Sequence, residues 1–248
     1  MSRIAANIEA VQARIATAAR RAGRRAEEIT LVAVTKTHPP ETVIEAWRCG
    51  LRHFGENRAA EGTAKMAQVA QRLVDLPEAE QPVWHFIGHL QSRQAGDVLG
   101  RFALIHSVDS LKLAQRLQRL AVRDGHPRVE ILLECNVSGE ASKYGFALHR
   151  WESSPEQLGT FIDTAAQIGE LDRLVVRGLM TMAPWTDNPE TVRPVFRSLA
   201  RLREVLQKEL PHLNWQELSM GMTDDFEVAI EEGATMVRIG RALFGERL

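Results

Sequence analysis

The sequence holds five lysines, Lys36, Lys65, Lys112, Lys143 and Lys208, and one of them sits where an amine could be reactive. Lys36 ends the run Leu31-Val32-Ala33-Val34-Thr35-Lys36, shares strand parity with Val32 and Val34, and is followed by Pro39-Pro40. An ammonium drawn into an apolar rim loses solvation, so its pKa falls and free amine becomes available to attack an aldehyde. A strand-end lysine can equally run its stem over the rim and keep its charge in water, and position alone leaves both readings open. Lys65, Lys112 and Lys208 lie on polar helical patterns and read as solvated charges. Lys143 lies in the long polar loop Ser138-Gly139-Glu140-Ala141-Ser142-Lys143-Tyr144-Gly145. It reads as a gate or an anion contact before a covalent anchor.

A second constellation stands near the carboxyl end. Leu218-Ser219-Met220-Gly221-Met222-Thr223-Asp224-Asp225 offers two hydroxyls, and Gly221 permits close backbone approach to a ligand. Gly240 ends Val237-Arg238-Ile239-Gly240 at another strand-to-helix turn. Turns of this kind hold phosphate in many barrels, and an ordinary capped loop is the competing reading. Asp224 and Asp225 would repel phosphate unless they cap the helix with their side chains turned away. Arg238, inside an apolar strand, needs a partner: a structural carboxylate or a heterocyclic ligand nitrogen. A guanidinium has only donors, so it would hold a facing pyridine nitrogen unprotonated and weaken the ring as an electron sink.

Other signals are weaker. His85 and His89 have helical zinc spacing, but Trp84-His85-Phe86-Ile87-Gly88-His89 reads as a strand that would hold them ~13 Å apart, so no metal is expected. His85 reads as a hydrogen-bonded structural group or a flank to a ligand. Asn57 stands at the rim after Phe54-Gly55-Glu56, as a ligand contact or a cap for the next helix. Met180, Met182, Met220 and Met222 suit core or pocket lining. Arg24, Arg25 and the other scattered arginines read as solvated faces. The dinucleotide Gly fingerprint, the Walker loop and the nucleophile elbow do not occur.

The elements that must position these groups alternate. Strand patterns fall at 31–36, 53–55, 84–87, 104–107, 130–136, 174–180, 215–219 and 236–240, with amphipathic stretches between. Leu113, Leu117 and Leu120 follow a capping Ser110, and Val192, Phe196, Leu199, Leu202 and Leu206 line a second face. Ile4, Ile8, Val11 and Ile15 mark an additional helix at the amino end. Eight strands with helical crossovers predict a (β/α)8 TIM barrel over 1–248 as a single domain, with a doubly wound sheet as the alternative. Lys36 and the loops after the fifth and the last two strands then meet at one mouth. Residues 74–82 read as an exposed acidic loop.

Composition narrows the class. With 248 residues, 31 basic against 32 acidic side chains and a net charge of −1, large-scale electrostatic binding of nucleic acid is not expected. Two cysteines, Cys49 and Cys135, exclude a disulfide framework. No apolar run approaches the ~20 residues that span a bilayer, and residues 2–19 carry no signal-peptide core. A cytoplasmic protein with no membrane partner is expected.

Taken together, Ala33-Val34-Thr35-Lys36-Thr37, Phe54-Gly55-Glu56-Asn57, His85-Phe86-Ile87-Gly88-His89-Leu90-Gln91, Gly178-Leu179-Met180, the 218–225 segment and Val237-Arg238-Ile239-Gly240 resemble the pyridoxal phosphate homeostasis protein family, in order and over nearly the whole chain. The family's fold is similar to the amino-terminal barrel of alanine racemases. The resemblance implies pyridoxal 5′-phosphate (PLP) carried on Lys36 as a Schiff base. It implies phosphate contacts from Ser219, Thr223 and Gly240, with Gly221 in the same turn, and Arg238 facing the pyridine nitrogen. Asn57, His85 and Met180 fall near the cofactor, and Lys143 matches the lysine of the family's Ser-Lys-x-Gly loop. There are departures: Gln91-Ser92-Arg93-Gln94 lacks a lysine common at that helix start, and Thr223 stands where Ser is frequent.

The resemblance implies a cofactor buffer that supplies PLP-dependent apo-enzymes, with no robust catalysis of its own. A PLP-dependent amino-acid racemase and a cofactor-free Schiff-base aldolase are the alternatives. Racemisation by two bases needs an acid–base group opposite the lysine, which racemases take as a tyrosine from a further β domain. With the sequence running to Leu248, no such domain is expected, and the one tyrosine is Tyr144. The same reasoning predicts an open site and a monomer.

Overall fold

The computed structural model describes residues 2–74, 77 and 80–245. Eight parallel strands close a barrel: β1 (Thr30–Val34), β2 (His53–Glu56), β3 (Val83–Phe86), β4 (Leu104–Val108), β5 (Val129–Asn136), then, after a two-residue β6 (Phe146–Ala147), β7 (Leu174–Met180), β8 (Glu217–Ser219) and β9 (Met236–Ile239). Each pairs with the next, β4 joins β5, β5 joins β7, and β9 returns to β1. The fold is therefore the expected TIM barrel. The strands are rich in Val, Leu and Ile because a parallel sheet covered by helices is buried on both faces. β6 is too short to carry a periodicity signal. It lies on β5 and ties the 138–145 loop back to the rim.

The helices that follow the strands are α2 (Pro40–Arg48), α3 (Ala59–Arg72), α4 (Ala95–Val98), α5 (Leu111–Asp124), α6 (Pro155–Gly169), α7 (Arg193–Glu209), α8 (Phe226–Glu231) and, after β9, α9 (Arg241–Phe244). α5 shows the local logic. Ser110 Oγ accepts the Leu113 N–H at 3.3 Å, Leu113, Leu117 and Leu120 are buried, and Gly125 closes the helix at φ 72°. No described helix is long and apolar enough to cross a membrane.

The amino-terminal α1 (Arg3–Arg21) buries Ile8, Val11 and Ile15 and docks on the last elements of the chain. Asn7 Nδ2 donates to the Leu243 carbonyl at 2.9 Å, and Arg14 pairs with Glu227 at 2.7 Å. Arg24 corrects the reading of a solvated face. Its guanidinium is partly buried and donates to the carbonyls of Ala234 at 2.7 Å and Ile230 at 3.3 Å. The Ile230 carbonyl also accepts the Gly233 N–H at 3.0 Å, and the arginine ties it to the Ala234 carbonyl across the turn between α8 and β9.

Two strand ends also move. β1 stops at Val34, although Thr35 N–H still donates to the Gly55 carbonyl at 3.1 Å. Thr37 then adopts φ 68° and turns the chain before Pro40 opens α2, so Lys36 stands just past the strand. β8 begins only at Glu217, because buried Trp215 is drawn away to donate its indole N–H to the Leu210 carbonyl at 3.0 Å. The expected acidic loop falls partly on residues 75, 76, 78 and 79, outside the described residues.

Leu104, Leu132, Met180 and Met236 come from β4, β5, β7 and β9 and pack together apart from the main core. Side chains from strands this far apart can meet only inside the barrel, so the four fill its lumen. By strand parity Glu134 and Arg238 also face inward, and the upper interior is polar.

Candidate functional site

The backbone around Lys36 is held from several sides. Thr35 Oγ1 donates to Glu56 Oε1 at 2.6 Å, and Lys65 Nζ lies 2.6 Å from the Thr35 carbonyl oxygen and 2.7 Å from the same carboxylate oxygen. Glu61 Oε1 accepts the Thr37 N–H at 2.5 Å and lies 3.5 Å from Lys65 Nζ. Thr37 is thereby kept at a positive φ that a β-branched residue rarely adopts. Lys36 itself is half-buried.

Lys65 is thus a buried charge and not a solvated one. Its side chain is only 5% exposed, whereas its helical pattern reads as a solvated charge. The charge is tolerated because a carboxylate and a carbonyl both meet it, and a buried ammonium needs such partners. Lys112 and Lys208 are exposed, as read.

Arg238 is 4% exposed and lies across the barrel interior. Its Nη1 donates to Ser219 Oγ at 2.6 Å and its Nη2 to the Thr181 carbonyl at 2.9 Å. Its protein partners are thus a hydroxyl and a carbonyl, and not the structural carboxylate that was one of the two expectations. Burial draws its pKa down to about 10, with Asp225 and Glu134 opposing the shift. It therefore stays a cation at neutral pH.

Ser219, expected as a phosphate contact, is fully buried and engaged by Arg238 on one side and by His106 Nδ1 at 2.9 Å on the other. This geometry makes it a brace for the guanidinium. His85 is hydrogen-bonded on both ring nitrogens, to His53 and His106, each at 2.9 Å. It is a structural group beneath the mouth, and burial pushes its pKa down to about 3.

The turn after β8 has the form the sequence suggests. Gly221 adopts φ 92°, and a Cβ there would lie 2.6 Å from Ala229 Cβ, so the turn requires glycine. Asp225 Oδ1 accepts the Met222 N–H at 2.6 Å within the turn, and Asp224 is paired with Arg241 at the start of α9, so both carboxylates are committed. Thr223 is half-buried and its hydroxyl is the one left at this turn for a ligand. At Gly240 a Cβ would come within 3.3 Å of the Val34 carbonyl oxygen, so the β9 turn packs directly on the end of β1.

Lys143 is half-buried, 3.7 Å from Glu140. With Trp185, Met222, Asp224 and Asp225 it lines a cavity of about 80 Å³ beside this turn. Met222 is a rim residue, 36% exposed, while Met180 is buried in the lumen. Tyr144 is 52% exposed and stacks on His89, ring centroids 3.6 Å apart.

Asn57 does not cap the helix that follows. The cap position of α3 is Arg58, without a side-chain bond, and Asn57 Oδ1 is buried with no protein partner. Glu134 Oε2 and Ser107 Oγ are likewise buried without one. Burial raises the Glu134 pKa to about 7, reinforced by Asp109 and opposed by Arg238. Orphaned acceptors of this kind cost stability unless something else binds them, and they favour a polar ligand at the mouth.

Three groups were not singled out by the sequence. His53 and His106 gave no motif, and Glu134 sits in a run that reads simply as a strand. Their signal is parity: a His or Glu on the inward face of a barrel strand is out of place without a partner.

The family model described as the alanine racemase N-terminal domain matches residues 6–248. A pyridoxal phosphate homeostasis protein of Pseudomonas aeruginosa is 46% identical over 249 residues, covering 100% of this chain and 97% of that protein. One from Aquifex aeolicus is 44% identical over 238 residues, with 94% of each covered. Among solved structures, PipY of Synechococcus elongatus PCC7942 with PLP bound superposes with a TM-score of 0.80. It is 32% identical, over 98% of this chain and 100% of PipY.

Proposed function

Because the chain belongs to the pyridoxal phosphate homeostasis protein family, we propose that it holds PLP as a Schiff base on Lys36 and serves as a reserve of the cofactor, delivering it to apo-enzymes. One observation carries this reading. Lys36, Gly240 and Thr223 leave three consecutive strands, β1, β9 and β8, at the same end of the barrel, above an inward arginine. An aldehyde, a phosphate and a ring nitrogen are the three features that such a set recognises together.

The residues fit the group. The Thr223 hydroxyl and the backbone at Gly240 would receive the phosphate, and Arg238 the pyridine nitrogen. Asn57, with its unpartnered oxygen, is the further polar contact. When bound, PLP supplies a reactive aldehyde and, if its ring nitrogen is protonated, an electron sink. Arg238 opposes the second property, since a guanidinium donates and does not protonate a pyridine. The chain's residues thus grip the cofactor while limiting its chemistry, which suits storage better than turnover. The relatives' shared name, homeostasis protein, supports the same choice.

Borohydride reduction of the purified protein with PLP, followed by peptide mapping, tests the reading. The expected result is a reduced pyridoxyl adduct on the Lys36 peptide and a yellow band absent from Lys36→Ala. An adduct confined to another lysine would overturn it. Tyr144, at the same rim as Lys143, is the residue that could support a racemase. Alanine racemisation lost in Tyr144→Phe would establish that function instead.

A further inference from the structure

The interior beneath the mouth contains a line of hydrogen-bonded side chains. His53 Nδ1 lies 2.9 Å from His85 Nε2, His85 Nδ1 lies 2.9 Å from His106 Nε2, and His106 Nδ1 lies 2.9 Å from Ser219 Oγ. Arg238 Nη1 closes the line at 2.6 Å. The register explains the spacing. His53 pairs with Val83, two residues before His85, and His85 pairs with Leu104, two residues before His106. The histidines climb diagonally over β2, β3 and β4, and the last one reaches across the lumen to β8.

We infer that this is a one-way chain of neutral imidazoles, each protonated on Nε2, and that His106 and His85 are positioning residues for the Arg238 guanidinium. The direction follows from valence. Arginine offers donors only, so Ser219 Oγ must accept from it. The hydroxyl is fully buried, and its own proton needs an acceptor, which His106 Nδ1 provides. His106 must then carry its proton on Nε2 and donate to His85 Nδ1. By the same step His85 donates from Nε2 to His53 Nδ1, and the half-buried His53 presents its Nε2 proton outward. A charged or reversed ring would set two donors face to face or strand the Ser219 proton.

The surroundings agree. Burial lowers the pKa of all three rings, and Arg238 further disfavours a charge on His106, as His85 does. Glu217 is the acidic group that opposes this at His53, while Glu134 and Asp225 act on Arg238. The chain does not conduct protons to the mouth, because its upper end is a group that cannot accept one. Its effect is mechanical: the Ser219 hydroxyl donates a hydrogen bond to His106 Nδ1 and turns its lone pairs to the guanidinium, which Thr181 holds from the other side.

What the arginine is held for rests on the proposed PLP site, but the order of the chain does not. Nitrogen-15 spectra of histidine-labelled native protein read the tautomers directly. The expected result is three rings with protonated Nε2 and bare Nδ1, unchanged between about pH 6 and pH 8. In Arg238→Met, His106 should acquire an Nδ1-protonated population. An Nδ1 proton on native His106, a ring that titrates in that window, or an unchanged His106 in Arg238→Met would overturn the assignment. The positioning role is read separately. His106→Phe should weaken PLP retention about tenfold, the loss expected for one slackened charge-assisted hydrogen bond, and His106→Asn, which keeps an acceptor near the Nδ1 position, should recover most of it. A folded His106→Phe that binds PLP as tightly as the native protein would refute that role. Failure of the native protein to bind PLP at all would remove the proposed function and leave the tautomer result standing.

Discussion

Lys65 Nζ sits 2.6 Å from the carbonyl oxygen of Thr35, the residue that immediately precedes Lys36. A buried cation on α3 therefore grips the backbone that presents the candidate nucleophile. Removing one partner of a buried ion pair costs about 3–5 kcal/mol, because the other charge stays behind. Lys65→Met should lower unfolding stability by about that amount in urea. Adding Glu56→Gln should recover part of it, and equal losses in the single and double variants would argue against the pairing.

Glu134 gives a pH dependence with a definite sign. Its carboxyl, ordinarily near 4.5, is pushed up to about 7 by burial. Between those values the folded chain keeps a proton that the unfolded chain has released. Stability from this group therefore falls as pH rises through the window, then levels off. The shift bounds the effect at about 3 kcal/mol. Glu134→Gln, which cannot ionise, should gain on the native protein as unfolding is measured at successively higher pH. Parallel curves would refute the elevated pKa.

Thr223 and Ser219 separate contact from support. Thr223→Val keeps the shape and removes one hydroxyl at the mouth. A hydrogen bond to a charged group contributes about 1.5–3 kcal/mol, so PLP affinity should fall tenfold or more while the melting temperature stays put. Ser219→Ala instead leaves Arg238 and His106 without their shared partner. It should cost about 1–3 kcal/mol of stability as well as affinity. Absorbance titration and thermal melts on both variants distinguish the two roles.

Gly221 admits no side chain. Alanine there would combine a positive φ with a Cβ 2.6 Å from Ala229 Cβ and 2.9 Å from Phe226 Cα. The expected loss is about 3 kcal/mol, with weakened PLP binding because the turn must open. A Gly221→Ala protein as stable as the native one would show that the turn can relax.

Much of this was legible in the residues. The alternation of apolar runs and amphipathic stretches gave the barrel, and the isolation of Arg238 among Val237 and Ile239 announced a partnered arginine. What stayed hidden depends on register. Lys65 looks solvated because its neighbours on α3 are polar, and its partner Glu56 comes from the preceding strand. Successive histidines of the three lie 32 and 21 residues apart and share no motif. Only the stagger of β2, β3 and β4 aligns them. Ser219 and Thr223 look alike as hydroxyls, and only the fold shows that the first is buried between Arg238 and His106.

The docking of α1 has a consequence for biosynthesis. Its apolar stripe of Ile8, Val11 and Ile15 is covered by elements translated much later; Arg14 and Glu227, which pair across that seam, are 213 residues apart. The nascent chain therefore carries this helix without its final partners until α8 and α9 are made, and closure of the ring waits for β9 to meet β1. A guardian that shields a greasy amphipathic segment during synthesis would have a long task at this helix.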